Sequence, residues 1–324
     1  MIDAIWKIPG WVLSPAGKKA RLSILMYHQV LAADDPFRQG NVTAEQFDQQ
    51  MSFVSKTYNV LPLKEAVGRL VNGTLPARSL AITFDDGYRD NLTIALPILR
   101  KYSLNATFFI ATGFLNGGRM WNDTIIEVCR LTALDVIDLT SLGLPRYEIA
   151  KQADRLKLLK DMIGRLKYLE LNQRLEYCQI IAEKASVDLP NDLMMYDEDV
   201  RELRRAGMLI GGHTARHPIL SKISLDRSCE EISEGKNKIE EIIGESITLF
   251  AYPNGVPNRD YSAEHVSIMR QAGFEAAVTT SAGVSTMESD IYQLPRFTPW
   301  DKTPFRFSAR LLTNNFTKAQ KALA

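Results

Sequence analysis

The sequence predicts an α/β fold built around a parallel sheet. Short apolar runs rich in β-branched residues alternate with amphipathic segments of helical length along most of the chain, which is the pattern of consecutive strand–helix units. Polar residues capable of chemistry follow directly after several of these runs. The carboxyl ends of the strands converge on one face of a (β/α) barrel, where active sites are built. We therefore expect distant parts of the sequence to meet in one site.

Seven or eight apolar runs are the predicted strands. They are Leu22–Tyr27, Val60–Leu63, Leu80–Phe84, Ala106–Ala111, Met208–Gly211, Ile247–Ala251, Phe274–Thr279 and, as the eighth, Leu294–Phe297.

Helices are predicted between these strands. Thr43 and Gln46 form a capping-box pattern at the start of the first one. Pro97 predicts a kink or an internal boundary in the helix Asn91–Tyr102, because proline has no N–H to donate. The remaining predicted helices are Lys64–Asn72, Arg155–Leu171, Asp197–Gly207, Ser224–Gly244 and Ser262–Ala272.

The alternation stops between Trp121 and about Met195, and apolar residues there recur at helical spacing. We interpret residues of about 121–195 as a helical insertion within a single domain over 1–324, preceded by an N-terminal arm over about 1–21. An insertion on a barrel loop is expected to shape the substrate groove.

Composition excludes several classes of protein. The net charge of the 324-residue chain is +1, so the global charge predicts no nucleic-acid partner. The three cysteines stand far apart, which favours neither a disulfide framework nor a cysteine zinc site. No window approaches 18 uninterrupted apolar residues, so no transmembrane segment is predicted.

The N-terminal arm has an acidic start and late basic residues, which is not typical of a secretory signal peptide. Its tryptophans and following lysines predict either peripheral contact with a membrane surface or an arm packed on its own domain. We therefore expect a location that is cytoplasmic or peripheral to the membrane.

The stretch Leu80–Tyr88 ends a predicted strand with Asp85, Asp86 and Gly87. Two adjacent carboxylates repel each other, so one must stay protonated or both need a stabilising charge. A bound metal cation would provide that charge. The alternative is a strand followed by an ordinary turn.

The segment after the strand Met208–Gly211 carries His213 and His217. Two imidazoles and one carboxylate form a three-ligand set typical of catalytic Zn²⁺, and the same set accommodates Co²⁺, Ni²⁺ or Fe²⁺. A second carboxylate beside the ligand would serve as the base that activates water. The alternative is a turn with incidental histidines.

Three ordered motifs resemble those of the NodB-homology polysaccharide deacetylases, carbohydrate esterase family 4. They are TFDDG at 83–87, HTARHP at 213–218 and FAYPNG at 250–255, and the likeness runs from about Leu22 to Trp300 outside the insertion. The arrangement is most similar to that of the poly-N-acetylglucosamine deacetylases, in which an early Tyr-His occurs. The resemblance implies a distorted (β/α)₇ barrel with a helical insertion.

The resemblance also implies roles for individual residues. Asp85 would be the general base, and Asp86, His213 and His217 would hold a divalent metal, with zinc expected. The backbone N–H of Asn254 would stabilise the oxyanion. Tyr252 and Trp121 are grouped with it as substrate-binding residues, although burial as a hydrophobic anchor is the alternative for Trp121.

The chain departs from the common family pattern at two positions. Ala251 stands where many members carry an arginine that pairs with the catalytic aspartate, and Arg296 is the predicted replacement; a surface arginine at the barrel rim is the alternative. No histidine follows Ala272, so His28 is the predicted general acid in place of a late one, and a structural histidine at a strand end is its alternative.

These roles imply metal-dependent removal of N-acetyl groups from an amino-sugar polysaccharide or its lipid-linked precursor. A related hydrolase of the same fold, acting on acetyl-xylan or a small cyclic amide, is one alternative. A catalytically silent carbohydrate-binding relative is the other, and fold alone does not separate them.

Overall fold

The computed structural model describes residues 14–322 and contains two compact units. The barrel unit comprises the described parts of Met1–Asp34 and Met195–Ala324 together with Asn41–Leu115. The insertion unit comprises Asp35–Gly40 and Asn116–Met194. The second of these segments overlaps the insertion expected at about 121–195. That the whole chain forms one catalytic domain stays a prediction.

The described strands are β1 (Leu22–Tyr27), β2 (Val30–Leu31), β3 (Val42–Thr43), β4 (Asn59–Val60), β5 (Ser79–Phe84), β6 (Thr107–Ile110), β7 (Val136–Asp138), β8 (Arg146–Glu148), β9 (Leu209–Gly212), β10 (Leu249–Ala251) and β11 (Ala276–Val278). The described α-helices are α1 (Ala44–Thr57), α2 (Leu63–Val71), α3 (Leu96–Lys101), α4 (Trp121–Leu131), α5 (Gln152–Leu166), α6 (Leu171–Ala185), α7 (Asp197–Arg205), α8 (Leu225–Ile243), α9 (Ala263–Gln271) and α10 (Pro304–Thr313).

The barrel unit is built on a seven-stranded sheet, and all of its strand pairs are parallel. The order is β1-β5-β6-β9-β10-β11, with β4 beside the first residues of β5. Every residue of β1 and β5 is buried, because parallel strands are covered on both faces. Both strands therefore occur as nearly continuous apolar runs in the sequence, and the predicted parallel α/β fold is confirmed.

The segment Leu294–Phe297 closes the sheet toward a barrel. Leu294 bridges in parallel to Val278 of β11, and Phe297 bridges in parallel to Leu25 of β1. The predicted eighth strand is therefore present only as isolated bridges, since the segment changes its partner between its two ends. Arg296 lies between the two bridges, and we call Leu294–Phe297 the closing segment.

Local sequence explains where two helices begin. The Thr43 side chain accepts a hydrogen bond from the Gln46 N–H, and the Gln46 side chain accepts one from Thr43 N–H, so the predicted capping box is present at α1. Pro97 stands in the first turn of α3, directly after a π-helical turn over Asn91–Ala95. The predicted boundary inside Asn91–Tyr102 is thus observed.

The insertion unit has its own core. Buried side chains of α4, α5 and α6 pack together with the antiparallel pair β7–β8. The buried Arg38 guanidinium contacts Asp123 and Glu127, each at 2.7 Å. These ion pairs join the segment Asp35–Gly40 to α4.

Among residues 14–322, no helix has both the length and the apolar character that a membrane span requires. The arm expected at about 1–21 falls largely outside the described residues, as do its tryptophans, Trp6 and Trp11.

Candidate active site

The residues that the motifs single out follow the carboxyl ends of the parallel strands, apart from Trp121. His28 follows β1, Asp85 and Asp86 follow β5, His213 follows β9, and Asn254 lies beyond β10. Because these strands are parallel neighbours, their carboxyl ends bring the residues to one face of the barrel unit.

Arg296 reaches Asp85 from the closing segment. Its Nη1 donates to Asp85 Oδ1 and its Nη2 to Oδ2, both at 2.7 Å. The guanidinium also donates to the Thr279 carbonyl through Nε at 2.8 Å and to the Thr83 hydroxyl at 3.2 Å. Arg296 is only 1% exposed, so it is not a surface arginine. The structure therefore places Arg296 where the sequence proposed a partner for Asp85.

This contact determines the charge of Asp85. Burial alone would raise the pKa of the carboxyl, but the charge and hydrogen bonds of Arg296, together with the charges of His213 and His28, outweigh burial, and the pKa lies below its ordinary value of 3.8. Asp85 is therefore an ionised carboxylate at neutral pH, although only 2% of the residue is exposed. A two-point contact with guanidinium also fixes the orientation of the carboxylate.

Asp86 lies in a different cluster. Its Oδ1 is 3.4 Å from His213 Nε2 and 3.5 Å from His217 Nε2, and the three residues offer ligand atoms that all lie within 4.8 Å of one another. Ligand atoms around a tetrahedral zinc ion, each at 2.0–2.1 Å from it, stand about 3.4 Å apart. The three side chains therefore fit a metal ion of that size.

His213 is oriented for this role by a backbone carbonyl. Its Nδ1 lies 2.7 Å from the Ala251 oxygen, and because a carbonyl only accepts, Nδ1 carries the hydrogen. Nε2 then faces Asp86 with its lone pair available to a cation. Without a cation, burial lowers the pKa of His213, but the hydrogen bond to Asp86 and the charge of Asp85 outweigh burial and raise it above 6.5.

Several turns of the site have left-handed backbone conformations. Asp86, His217 and Asn254 have φ values of +77°, +53° and +58°, a region that costs a residue with a side chain of order 1–3 kcal/mol. Gly87 continues the first turn at φ +94°, and a Cβ there would approach the Ile110 side chain to 3.2 Å. Strain of this kind is concentrated at functional sites, which agrees with the assignment of these turns.

Asn254 presents a backbone donor. Among residues 14–322, none accepts a hydrogen bond from its N–H, while its carbonyl accepts one from the Thr280 hydroxyl at 2.6 Å. The neighbouring Tyr252 side chain is fully buried and stacks on Tyr261 with ring centroids 4.0 Å apart. The Tyr252 phenol is therefore part of the core and not an exposed surface, and the substrate-binding role predicted for this residue stays a prediction.

His28 is half-buried and follows β1. A positive charge on its imidazole would help to lower the pKa of both Asp85 and Asp86. The Asn91 side chain donates to the His28 carbonyl at 2.8 Å. The position is consistent with the predicted general acid, whose role stays a prediction.

Trp121 begins α4 in the insertion unit. The residue is 9% exposed, and the Arg174 guanidinium lies over its ring, 5.0 Å from the centroid. It belongs to the core of that unit, and part of it lines a cavity of about 630 Å³ within the same unit. Its burial agrees with the hydrophobic-anchor alternative; the predicted sugar contact is untested.

Apart from Arg296, sequence reasoning did not find the groups that orient the site. The carbonyls of Ala251 and Thr279 are backbone atoms, so no residue type marks them. Thr83 lies inside the TFDDG motif and Asn91 follows it closely. Their position beside the motif was the only available signal.

A family model and several known proteins match this chain. The family model described as polysaccharide deacetylase matches residues 72–131 and 180–277. YxkH of Bacillus subtilis (strain 168) is 22% identical over 86% of this chain and 71% of its own length. A poly-beta-1,6-N-acetyl-D-glucosamine N-deacetylase of Staphylococcus aureus (strain MSSA476) is 27% identical over 53% of this chain, and the match spans 60% of that protein.

Solved structures share the fold. IcaB from Ammonifex degensii superposes with a TM-score of 0.58 at 18% identity, covering 93% of this chain and 98% of that one. The Streptococcus pyogenes deacetylase PplD, solved in complex with acetate, gives 0.57 at 22% identity, covering 86% and 92%. The three motifs, the distorted barrel and the matched family model lead to one assignment: the chain belongs to the polysaccharide deacetylase family of hydrolases.

Proposed function

We propose that the chain removes N-acetyl groups from an amino-sugar glycan and uses a divalent cation held by Asp86, His213 and His217. The family assignment supports hydrolysis of an acetylated carbohydrate. The name of the staphylococcal relative supports a polymer of N-acetylglucosamine. The substrate is then an exopolysaccharide or its lipid-linked precursor, and an enzyme in the cytoplasm or at the membrane periphery would have access to it.

The observation that supports this proposal most strongly is that two adjacent carboxylates lie in different environments. Asp85 is paired with Arg296 through two contacts of 2.7 Å, while Asp86 faces the two imidazoles. One carboxylate is thereby kept ionised and oriented as a base, and the other is available as a ligand. A purely structural turn would have no need of two such different environments.

The donor set favours zinc, because two histidines and one carboxylate with an open position are typical of catalytic Zn²⁺ sites; Co²⁺, Ni²⁺ and Fe²⁺ suit the same ligands. A cation bound there would polarise the acetyl carbonyl and lower the pKa of the attacking water.

The chain's own residues would carry the proton transfers. Asp85 accepts the proton of the attacking water as general base. The Asn254 N–H donates to the oxyanion that forms on the acetyl carbonyl oxygen. His28 donates a proton to the nitrogen as the C–N bond breaks, so that the free amine leaves and acetate remains.

The proposed deacetylation is tested by measuring the release of acetate. The purified chain, loaded in turn with Zn²⁺ and Co²⁺, is incubated with β-1,6-linked and β-1,4-linked N-acetylglucosamine oligomers and with acetylated xylan, and acetate is measured. The expected result is acetate from an amino-sugar oligomer that disappears after chelation. Acetate only from xylan would identify an esterase instead. No acetate from any substrate, together with no bound metal, would favour a silent binding protein.

A further inference from the structure

An exposed tryptophan lies beyond the closing segment, four residues after Arg296. Trp300 is 54% exposed, and the geometry points to a stacking platform for a pyranose ring of the substrate polymer. This inference rests on the proposed function. The closing segment runs parallel to β1, so its continuation leads to the same face as His28. Four residues span at most about 14 Å, a reach of a few sugar units from Arg296.

The indole ring is held in place from beneath. The Arg310 guanidinium lies between two aromatic rings, 4.1 Å from the Trp300 centroid and 4.8 Å from the Phe297 centroid. Asp301, whose side chain is fully buried, binds Arg310 at 2.5 Å. One face of the indole is thereby covered by a fixed cation, which leaves the other face as the exposed surface.

The backbone on both sides of Trp300 is also fixed. The Gln50 amide donates to the carbonyls of Pro299 and Asp301 at 3.4 and 3.3 Å. The oxygen of the same side chain accepts a hydrogen bond from the Tyr27 hydroxyl at 2.7 Å, and Tyr27 directly precedes His28. Because this large apolar surface is already rigid, little conformational entropy is lost when a sugar face packs on it.

The test compares substrates of different length. Trp300→Ala, Trp300→Phe and the control Phe316→Ala are assayed with β-1,6-linked N-acetylglucosamine di- and pentasaccharides. Phe316 is an exposed aromatic of the same unit, 71% exposed. Loss of one stacking contact of about 1.4 kcal/mol lowers kcat/KM about tenfold. We expect that loss for the alanine variant on the pentasaccharide, less than a twofold change on the disaccharide, and partial rescue by phenylalanine.

Equal losses on both substrates, or no loss, would overturn the platform. If the wild-type protein releases no acetate, the proposed function fails, and binding of the pentasaccharide to Asp85→Asn protein by calorimetry decides the platform separately. Binding weakened by adding Trp300→Ala, but not by adding Phe316→Ala, supports it. Absence of binding, or equal binding by both, refutes it.

A second observation concerns the loop between the two metal-ligand histidines. The Thr214 and Ala215 carbonyls accept hydrogen bonds from the N–H groups of Thr112 and Gly113, at 3.4 and 2.8 Å. On the other side, the Arg216 N–H donates to the Glu231 carboxylate at 2.8 Å and the Ala215 N–H to the Glu231 carbonyl at 3.0 Å. The backbone between the histidines is thus bonded from two sides.

The structure assigns Glu231 as a positioning residue for the metal ligands. Glu231 lies on α8 and is fully buried. One turn further, a Cβ at Gly235 would come within 2.6 Å of the Thr214 carbonyl carbon, so α8 packs directly against this loop. Thr214 and His217 hold φ values of +64° and +53°. Such conformations persist only when surrounding contacts enforce them, and Glu231 supplies one of those contacts.

Metal affinity, measured by calorimetry with Zn²⁺ and by the absorption of Co²⁺, tests this assignment. Loss of an outer-shell partner costs about 10–100-fold in metal affinity, which we expect for Glu231→Ala. Glu231→Gln retains an oxygen acceptor and should lose less than about tenfold. The matched control is Glu234→Gln on the same helix, since the exposed Glu234 carboxylate binds the Arg216 side chain at 2.6 Å and not the loop backbone, and the substitution should leave affinity unchanged.

The melting temperature of the metal-free proteins separates folding from positioning. If Glu231→Ala does not fold, Gly235→Ala serves, because its methyl group would displace the Thr214 backbone. Wild-type Zn²⁺ affinity in a folded Glu231→Ala or Gly235→Ala protein would overturn the assignment, as would equal losses in Glu231→Ala and Glu234→Gln.

Discussion

Arg296 binds Asp85 with both ends of its guanidinium, and the two residues stand 211 positions apart in the sequence. The arginine comes from the closing segment, which bridges β11 and β1. The segment that closes the sheet toward a barrel therefore also orients the predicted base.

Arg296→Ala should remove both stability and activity. The variant leaves the buried Asp85 carboxylate without its cation, and breaking a buried ion pair costs about 3–5 kcal/mol. Arg296→Lys keeps a charge but loses the two-point contact. Because the pKa of Asp85 is held low by Arg296, the acid limb of kcat/KM should move to higher pH in both variants. The exposed Arg306→Ala is the control, and an unchanged pH profile in Arg296→Ala would contradict the pairing.

Asp85→Asn should separate binding from turnover. The substitution removes the proton acceptor, whose loss costs about 10²–10⁴-fold in rate, while Asp86, His213 and His217 remain. Elemental analysis should find the same metal content as in the wild type, and acetate release should fall by that factor. A near-wild-type rate would end the assignment of Asp85 as base. The melting temperature is recorded as well, because Arg296 loses a charged partner.

The same carboxylate should influence stability in acid. The folded pKa of Asp85 lies below its ordinary value of 3.8, so protons bind the unfolded chain more readily. Its contribution to the free energy of unfolding is therefore present above about pH 4 and is lost as the pH falls through the folded pKa. Urea titrations of the metal-free protein below pH 5 should show a stability loss that is smaller in Asp85→Asn. Parallel curves for the two proteins would exclude this contribution.

His28→Ala should slow hydrolysis most for substrates with poor leaving groups. An amine must be protonated to leave, whereas the phenolate of 4-nitrophenyl acetate leaves without a proton. General acid catalysis contributes about 10²–10⁴-fold, so amide hydrolysis should fall by that factor and ester hydrolysis much less. His265→Ala is the control, since His265 is bound to Ser262 at the start of α9. Equal losses on amide and ester would assign His28 a structural role.

The sequence predicted the fold and the site best where a fully buried strand ends in residues capable of chemistry. The bounds predicted for β1 match the structure, and β5 begins one residue earlier than predicted, at Ser79, because strands buried on both faces are continuous apolar runs. The placement of Asp85 and His213 follows from motif order and from the convergence of parallel strands, whereas Arg296 is predicted only as the replacement for the arginine that the family resemblance implies at Ala251.

Other features depend on partners that local sequence does not reveal. The pair β7–β8 has mostly exposed or half-exposed residues and no apolar run, so it was not distinguished from a helical insertion. Arg38 joins the insertion unit through an ion pair with Asp123, 85 positions away. The contact of Glu231 with the Arg216 N–H is equally invisible, since a glutamate within a helix is normally solvated.

Metal binding should depend on pH in a direction set by His213. Its pKa in the metal-free protein is raised above 6.5, because the hydrogen bond to Asp86 and the charge of Asp85 outweigh burial, whereas the pKa of Asp86 is lowered. A cation needs the neutral imidazole, so the protein must release a proton as the metal binds. Zn²⁺ affinity should therefore fall as the pH decreases through the raised pKa, while Asp86 stays ionised. Calorimetry at pH 6 in buffers of different ionisation enthalpy counts the released protons.

His217→Ala should lose the metal at every pH, because only two of the three ligands remain. Metal content equal to wild type in that variant, or uptake without proton release at pH 6, would contradict the ligand set.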